Sequence, residues 1–419
     1  MKKVFFVIFA LAVVFVLATA GAAHAITLPS TPASANAVSS SYNSIKISWG
    51  KVDGATGYVL YRYSASANAY IRFRVLKTTG FTDTGLLTGR EYSYKVRAYR
   101  SADTNIYGAP SKALNAIPVP SVPGHFESFW MSNTGINLNW ASVPGAKGYV
   151  LYRWNPAAGA YERLKVTSAT AYTNTGLVKG TTYYYKVRAY RHVSETNIYG
   201  NPSAKLAAKA GHRAAPSVIV YNGSRNRAEI AFTFDDSGYR LGKMLDTCNR
   251  KGIKATFFLL TGELRANPKR WQEAVKQGFL ICNHTTSHRM NLGKLSENEI
   301  RQDILGWEKA CKEVLGEEYF YKMKSEFPYF RAPGGNSTKR LQQVLGDLGY
   351  KKTIYWTRED VWFKTHNPRG LSLVQNYVLN ARNGDIFLMH GGSYGALPSV
   401  IDGVRAKHYH IQLLPELLK

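Results

Sequence analysis

The chain has 419 residues, enough for two or three domains, and carries 54 lysines and arginines against 27 acidic residues, a net charge of +27. Its three cysteines (Cys248, Cys282, Cys311) exclude a fold built on a disulfide framework; free buried thiols are the expected state. The positive charge suits wall polymers and other anionic surfaces, whereas nucleic acid is disfavoured because no zinc finger, basic helix or aromatic RNA-binding signature is present. The chain opens Met1-Lys2-Lys3, runs apolar over residues 4–17, and reaches small residues ending Ala23-His24-Ala25. A positive start, an apolar core and an A-x-A site predict a secretory signal peptide over residues 1–25, cleaved after Ala25. The apolar run is short for a membrane span, and no later stretch is long enough for one. A secreted, extracellular protein without stable membrane insertion is therefore expected, associated with a cell wall through its charge.

Residues 27–210 contain much of the same sequence twice. Gly57-Tyr58-Val59-Leu60-Tyr61-Arg62 recurs unchanged at 148–153, and Tyr94-Lys95-Val96-Arg97-Ala98-Tyr99-Arg100 at 185–191, each displaced by 91 positions. Thr104-Asn105-Ile106-Tyr107-Gly108 returns at 196–200, displaced by 92. Self-similarity at a fixed period means tandem domains. Apolar residues alternate within each copy (Ile45, Ile47, Trp49; Tyr58, Leu60; Tyr94, Val96, Ala98), which predicts short strands of an antiparallel sandwich. With a Trp on an early strand, G-Y-x-x-Y-R on the next and Y-x-Y-K-V-R-A on a late one, each copy resembles a fibronectin type III domain. The expected bounds are 27–117 and 118–206, with Pro118, Pro120 and Pro123 at the junction, and a linker follows at 207–216. The modules hold no catalytic constellation; their exposed tyrosines are capable of stacking on sugars, but spacer or adhesion modules are the favoured expectation.

From residue 217 to 419 the pattern changes. Strand-like runs at 230–234, 255–260, 279–281, 352–356 and 386–389 alternate with helical segments, the clearest of which starts at a capping box, Ser296-Glu297-Asn298-Glu299. Such alternation predicts a parallel barrel or a doubly wound sheet. Three clusters fall at or after strand-like runs: Thr233-Phe234-Asp235-Asp236, His284-Thr285-Thr286-Ser287-His288 and Leu388-Met389-His390. Carboxylates and imidazoles at successive strand ends converge on one rim. One Asp and two His make an open three-ligand metal site, with a further Asp and His left for proton transfer, which is a hydrolase constellation. Cys282 is a lesser candidate thiolate ligand.

These clusters, together with Arg331-Ala332-Pro333-Gly334, resemble the T-F-D-D, H-[ST]-x-x-H, R-x-P and L-x-H motifs of the polysaccharide deacetylases (carbohydrate esterase family 4, NodB-like), in that family's order. The resemblance covers residues 228–419 and implies a distorted (β/α) barrel. It also implies that Asp236, His284 and His288 hold a divalent metal, Zn²⁺ first and Co²⁺ or another divalent ion next. Asp235 would then be the base, His390 the acid that protonates the departing amine, and Arg331 the partner that keeps Asp235 ionised and oriented. A backbone N–H near Gly334 would share in stabilising the oxyanion.

The chain departs from the family pattern in three places. Ser237-Gly238 follows T-F-D-D where a single Gly is common, and Gly334 replaces the usual aromatic residue. The acidic fourth motif is poorly kept: residues 356–362 offer Glu359, Asp360 and Trp362, of which Asp360 is favoured as the acid that tunes Arg331 or His390. The implied activity is N-deacetylation of an N-acetylhexosamine polymer, with peptidoglycan first and chitin-like or exopolysaccharide chains next. The alternatives are an O-acetyl (xylan) esterase using the same site and a non-catalytic wall- or carbohydrate-binding protein. A zinc peptidase is disfavoured, since Thr285 stands where H-E-x-x-H needs Glu.

Overall fold

Residues 27–101, 104–236, 238–361 and 372–419 are described by a computed structural model. The signal peptide expected over 1–25, Ser237 and Trp362 lie outside them. The described residues fall into two compact units, one ending at Val119 and one running from Pro120 to Lys419.

In the first unit, strands Asn36–Ser41, Ser44–Ser48 and Gly80–Thr84 form one antiparallel sheet. Gly57–Ser64, Ala69–Leu76, Tyr92–Arg100, Ile106–Pro110 and Leu114–Ala116 form another. The alternating apolar residues make a single core between them: Ile45, Ile47 and Trp49 from one sheet pack with Tyr58, Leu60, Tyr94, Val96 and Ala98 of the other. The two buried tyrosines reach partners, as they must. The Tyr58 hydroxyl accepts from Val52 N (2.8 Å), and the Tyr94 hydroxyl donates to Asp83 (2.8 Å).

The second unit repeats this sandwich with sheets of three and five strands around Trp140, Tyr149, Leu151, Tyr185 and Val187. It also corrects the expected linker. Leu206–Lys209 pairs with the strand Thr182–Val193, and Ala208 and Ala210 enter the sandwich core. Small residues without alternating large apolar groups gave that strand no periodic signal.

The remainder of the second unit is a curled parallel sheet wrapped by helices. Its strands lie in the order Val218–Val220, Lys352–Ile354, Tyr329–Phe330, Leu280–Asn283, Thr256–Leu259, Glu229–Asp236 and Asp385–His390, and His410–Ile411 pairs beside the start of Glu229–Asp236. Every pairing is parallel. The central strands Leu280–Asn283, Thr256–Leu259, Glu229–Asp236 and Asp385–His390 are buried on both faces, which is why they read as apolar runs. Past Ile354 the chain swings to the far edge: Thr357 N donates to Ile386 O (2.9 Å), and Leu388 N to Arg358 O (2.8 Å). This bridge brings the last strand of the curl onto the chain that leaves Lys352–Ile354. Tyr329–Phe330, two residues long, was not foreseen because so short a strand carries no periodicity. The Ser296–Glu299 capping box is formed, and its helix runs over Glu297–Leu315. Trp307 on that helix donates from Nε1 to Leu259 O (2.6 Å).

The second sandwich docks on this domain through a specific set of contacts. His125 stacks on Tyr321 (3.9 Å between centroids), and Ser142 N donates to Glu317 (2.8 Å). Arg213 lies over the Trp130 ring (4.1 Å) and is paired with Glu297 and Asp347. Asp347 is buried and also faces the buried Arg301 at 3.6 Å. A buried cation stripped of its carboxylate is costly. Asp347→Ala is therefore expected to destabilise the second unit by about 3 kcal/mol, read as a lowered denaturant midpoint, whereas Glu297→Ala, at a more exposed carboxylate, changes it by less than about 1 kcal/mol.

Candidate active site

The ends of the strands Glu229–Asp236, Leu280–Asn283 and Asp385–His390 meet at one rim, because parallel pairing keeps their C-terminal ends level: Asp235 is in register with His390 and with Phe258. Asp236, His284 and His288 bring one ligand atom each to within 4.8 Å of one another. The Nε2 atoms of His284 and His288 stand 3.2 and 3.1 Å from the same Asp236 Oδ1. That oxygen is buried and makes no well-directed hydrogen bond. Three donor atoms facing a common point, one of them an orphaned buried oxygen, fit a divalent cation.

The tautomer agrees. His284 Nδ1 lies 2.9 Å from the Arg331 carbonyl oxygen, which only accepts, so Nδ1 carries a proton and Nε2 is the nitrogen turned to Asp236 and available to a cation. The backbone is shaped around this cluster: Asp236 (φ 80°), Thr285 (φ 80°) and His288 (φ 53°) are all left-handed, a conformation unfavourable for side-chain-bearing residues and tolerated where the surroundings enforce it. Three hydrogen bonds hold the histidine loop in this shape. Thr285 N donates to Asn283 Oδ1 (2.8 Å), His288 N to Thr285 Oγ1 (3.0 Å), and Thr286 N to Asp303 Oδ1 (2.7 Å). Asp303 was not anticipated, since it sits on the helix Glu297–Leu315 and only the fold brings it to this loop.

Beside the cluster are two charge pairs. Arg331 is completely buried and gives Nη1 to Asp235 Oδ1 (2.7 Å) and to Thr233 Oγ1 (2.8 Å), Nε to Ile354 O (3.0 Å) and Nη2 to Tyr355 O (3.1 Å). Burial lowers its pKa and the Asp235 charge opposes that, so the pair is held together in a dry setting. The second pair joins His390 Nδ1 to Asp360 Oδ1 (2.6 Å), with His390 N donating to Asp360 Oδ2 (2.9 Å). Of the two roles weighed for Asp360, the structure places it on His390, not on Arg331. Burial opposes the charge on His390, but the bond to Asp360 and the carboxylates of Asp235, Asp360 and Asp236 outweigh it, raising its pKa to about 9. The Asp236 carboxyl moves the other way: burial opposes ionisation, yet His284 and His288 hold it well below the usual carboxylate range.

Asp235, Asp236, His284, His288 and His390 line an open cleft of about 440 Å³. Its remaining walls include Met290, Trp356 and Val361, none foreseen as functional. Gly334, where an aromatic side chain was noted as missing, has φ 57°, and a Cβ there would run into Met290 Cε. Met290 thus occupies the space left open. Cys282 does not join the cluster: it is fully buried in the core, its thiol pKa is pushed up by desolvation, and the three grouped donors come from Asp236, His284 and His288. All three cysteines are free and buried.

Residues 222–379 match the family model for polysaccharide deacetylase. These residues carry a polysaccharide deacetylase domain. A peptidoglycan-N-acetylglucosamine deacetylase of Bacillus cereus is 28% identical over 209 residues, 48% of this chain and 93% of that protein. A bifunctional xylanase/deacetylase of Pseudobutyrivibrio xylanivorans is 27% identical over 203 residues, 47% of this chain and 31% of that one. Among solved structures, a peptidoglycan N-acetylglucosamine deacetylase in complex with 4-naphthalen-1-yl-N-oxidanyl-benzamide is 27% identical with a TM-score of 0.42, covering 48% of this chain and 93% of that chain.

The His390–Asp360 pair in the deacetylase domain makes a prediction for the metal-free protein. Its stabilisation is complete below the unfolded value of 6.5 and is lost as the pH rises through about 9, because the folded state favours the protonated ring. An NMR titration should place the His390 midpoint well above that of an exposed histidine, and Asp360→Asn should return it toward 6.5.

Proposed function

We propose that this chain is an exported, metal-dependent N-deacetylase of an N-acetylhexosamine polymer, with peptidoglycan as its first candidate substrate and chitin-like or exopolysaccharide chains next. The observation that carries the proposal is the meeting of the Asp236–His284–His288 ligand set with two separately buttressed proton-transfer groups, Asp235 and His390, in one cleft. The match of residues 222–379 to the polysaccharide deacetylase model supports the reaction class, and the Bacillus cereus relative supports the substrate class. The leader over 1–25 supports secretion. Among the described residues no helix is long and apolar enough to cross a membrane. The two sandwiches, over about residues 27–117 and 120–210, are read as fibronectin type III domains, supported by their shared three-plus-five-stranded order.

Asp236, His284 and His288 would hold the divalent ion, Zn²⁺ by the chemistry of one oxygen and two nitrogen donors. When bound, the ion supplies an activated water and polarises the acetyl carbonyl. Asp235, held in place by its ion pair with Arg331, takes the proton as water oxygen attacks that carbonyl. His390, kept protonated by Asp360, gives a proton to the sugar nitrogen as the C–N bond breaks, so acetate and a free amine leave. Trp356, Met290 and Leu388 offer apolar surface for the acetyl methyl and the sugar face.

The test is acetate release from N-acetylglucosamine oligomers, peptidoglycan and acetylated xylan, with added zinc or with chelator. Chelation should abolish release from the amino sugars, and Asp235→Asn and His390→Gln should each lower kcat by about 10²- to 10⁴-fold. Release from xylan alone would make the chain an O-acetyl esterase, a reading that the xylanase/deacetylase relative keeps open. Binding without release, indifferent to chelator, would make it a carbohydrate-binding protein.

A further inference from the structure

The five-stranded sheet of each sandwich turns one face to its core and the other outward. In the first copy, Tyr94, Val96 and Ala98 point inward, which puts Lys95, Arg97 and Tyr99 outward. Cross-strand register places Tyr61 opposite Lys95 and Arg72, Tyr63 opposite Tyr70, and Tyr107 opposite Tyr99 on that same outer face. In the second copy the corresponding outer positions are Tyr152 with Lys186 and Arg163, Trp154 with Tyr161, and Tyr199 with Tyr190. Arg188 follows Arg97. Among the described residues, no outward strand position of either sheet holds an acid; Glu162 pairs with Arg153 on the other side of its sheet.

The side chains adopt the same contacts twice. Lys95 sits over Tyr70 at 4.4 Å and Lys186 over Tyr161 at 4.7 Å. Arg97 sits over Tyr107 at 5.0 Å and Arg188 over Tyr199 at 4.3 Å. Tyr63 meets Tyr70 at 5.5 Å where Trp154 meets Tyr161 at 5.2 Å. The result is a flat ladder of rings interleaved with cations, half-buried to exposed along its length.

The two copies did not stay alike everywhere. Their first strands read Asn36-Ala37-Val38-Ser39-Ser40-Ser41 and Glu127-Ser128-Phe129-Trp130-Met131-Ser132, and the second has become part of the contact with the deacetylase domain. Over eight outer positions (Tyr61, Tyr63, Tyr70, Arg72, Lys95, Arg97, Tyr99 and Tyr107 with their counterparts) the ladder differs in one ring alone, Tyr63 against Trp154.

We propose that the outer face of each five-stranded sheet is a binding surface for an acidic polysaccharide, its rings stacking on sugar faces and its lysines and arginines pairing with the carboxylate or phosphate groups along the chain. Rings alone would suit a neutral glycan, and cations alone any polyanion; their interleaving without acids selects a polymer that presents both. None of these residues lines the cleft that holds Asp235, Asp236, His284, His288 and His390, so the outcome bears on glycan binding and not on the reaction proposed there.

The test uses the full chain with Asp235→Asn, so that no substrate is turned over, in affinity electrophoresis and sedimentation with four polymers. They are a polyuronate (carboxylate), a glycerol-phosphate glycan polymer (phosphate), a neutral glucan, and single-stranded RNA. Both acidic glycans, or one of them, should bind at least about tenfold more tightly than the glucan and the RNA, with affinity falling as salt rises. Lys95→Gln/Arg97→Gln/Lys186→Gln/Arg188→Gln should lose that binding about tenfold or more, and Tyr99→Ser/Tyr190→Ser should lose it with the charges intact. Both variants should keep the parent's circular dichroism spectrum and cooperative unfolding, which reports that they fold, and in an otherwise unmodified chain both should release acetate from N-acetylglucosamine oligomers at the parent rate. Unchanged glycan binding in both folded variants would overturn the proposal. So would equal affinity for the neutral glucan, or RNA bound as tightly as the acidic glycans.

Discussion

The buried guanidinium of Arg331 is the contact on which the deacetylase domain's rim depends. A fully desolvated cation is tolerable only when each of its donors is met. Here the donors are met by Asp235 and Thr233 from one strand and by the Ile354 and Tyr355 carbonyls that end another. The same residue's own carbonyl then accepts from His284. One side chain and one carbonyl therefore fix the relative positions of a proposed base, a proposed metal ligand and three strand ends. The aromatic floor, with Phe258 at 4.2 Å and Trp356 at 5.6 Å from the guanidinium carbon, keeps water away from that junction.

The left-handed backbone at Asp236, Thr285 and His288 follows from this arrangement. Two imidazoles and a carboxylate crowd together here with the chain turned sharply at or beside each, and the turns of the histidine loop are held by Asn283, the Thr285 hydroxyl and Asp303. Strain of this kind persists where neighbours over-determine it, and it concentrates where chemistry is done. The sandwiches solve a different problem. Each needs one sheet face for its own core, which leaves the outer faces free to diverge. The second copy used its first strand to meet the deacetylase domain, while both kept the same ring-and-cation ladder on the larger sheet.

Much of this was readable in advance for a simple reason: the signals were local. Period-two alternation around Ile45–Trp49 and Tyr94–Ala98, the capping box at Ser296 and the apolar runs before Asp235 and His390 each follow from a few neighbouring residues, and the structure has strands or a helix at all of them. What went unread was short or long-range. Tyr329–Phe330 is too brief to show a period, and Leu206–Lys209 is made of small residues that resemble a linker until they pair with Thr182–Tyr185.

The residue types at the site, two acids and three histidines in ordered motifs, were determined by the sequence itself, because the chemistry depends on which groups are present. Who touches whom was decided by tertiary structure alone. Asp360 lies against His390 and not against Arg331, Asp303 pins the histidine loop from a distant helix, and Met290 fills the space beside Gly334. None of these pairs is near in sequence, and each contact exists only because the curl of the parallel sheet brings separate strand ends and their helices onto one rim.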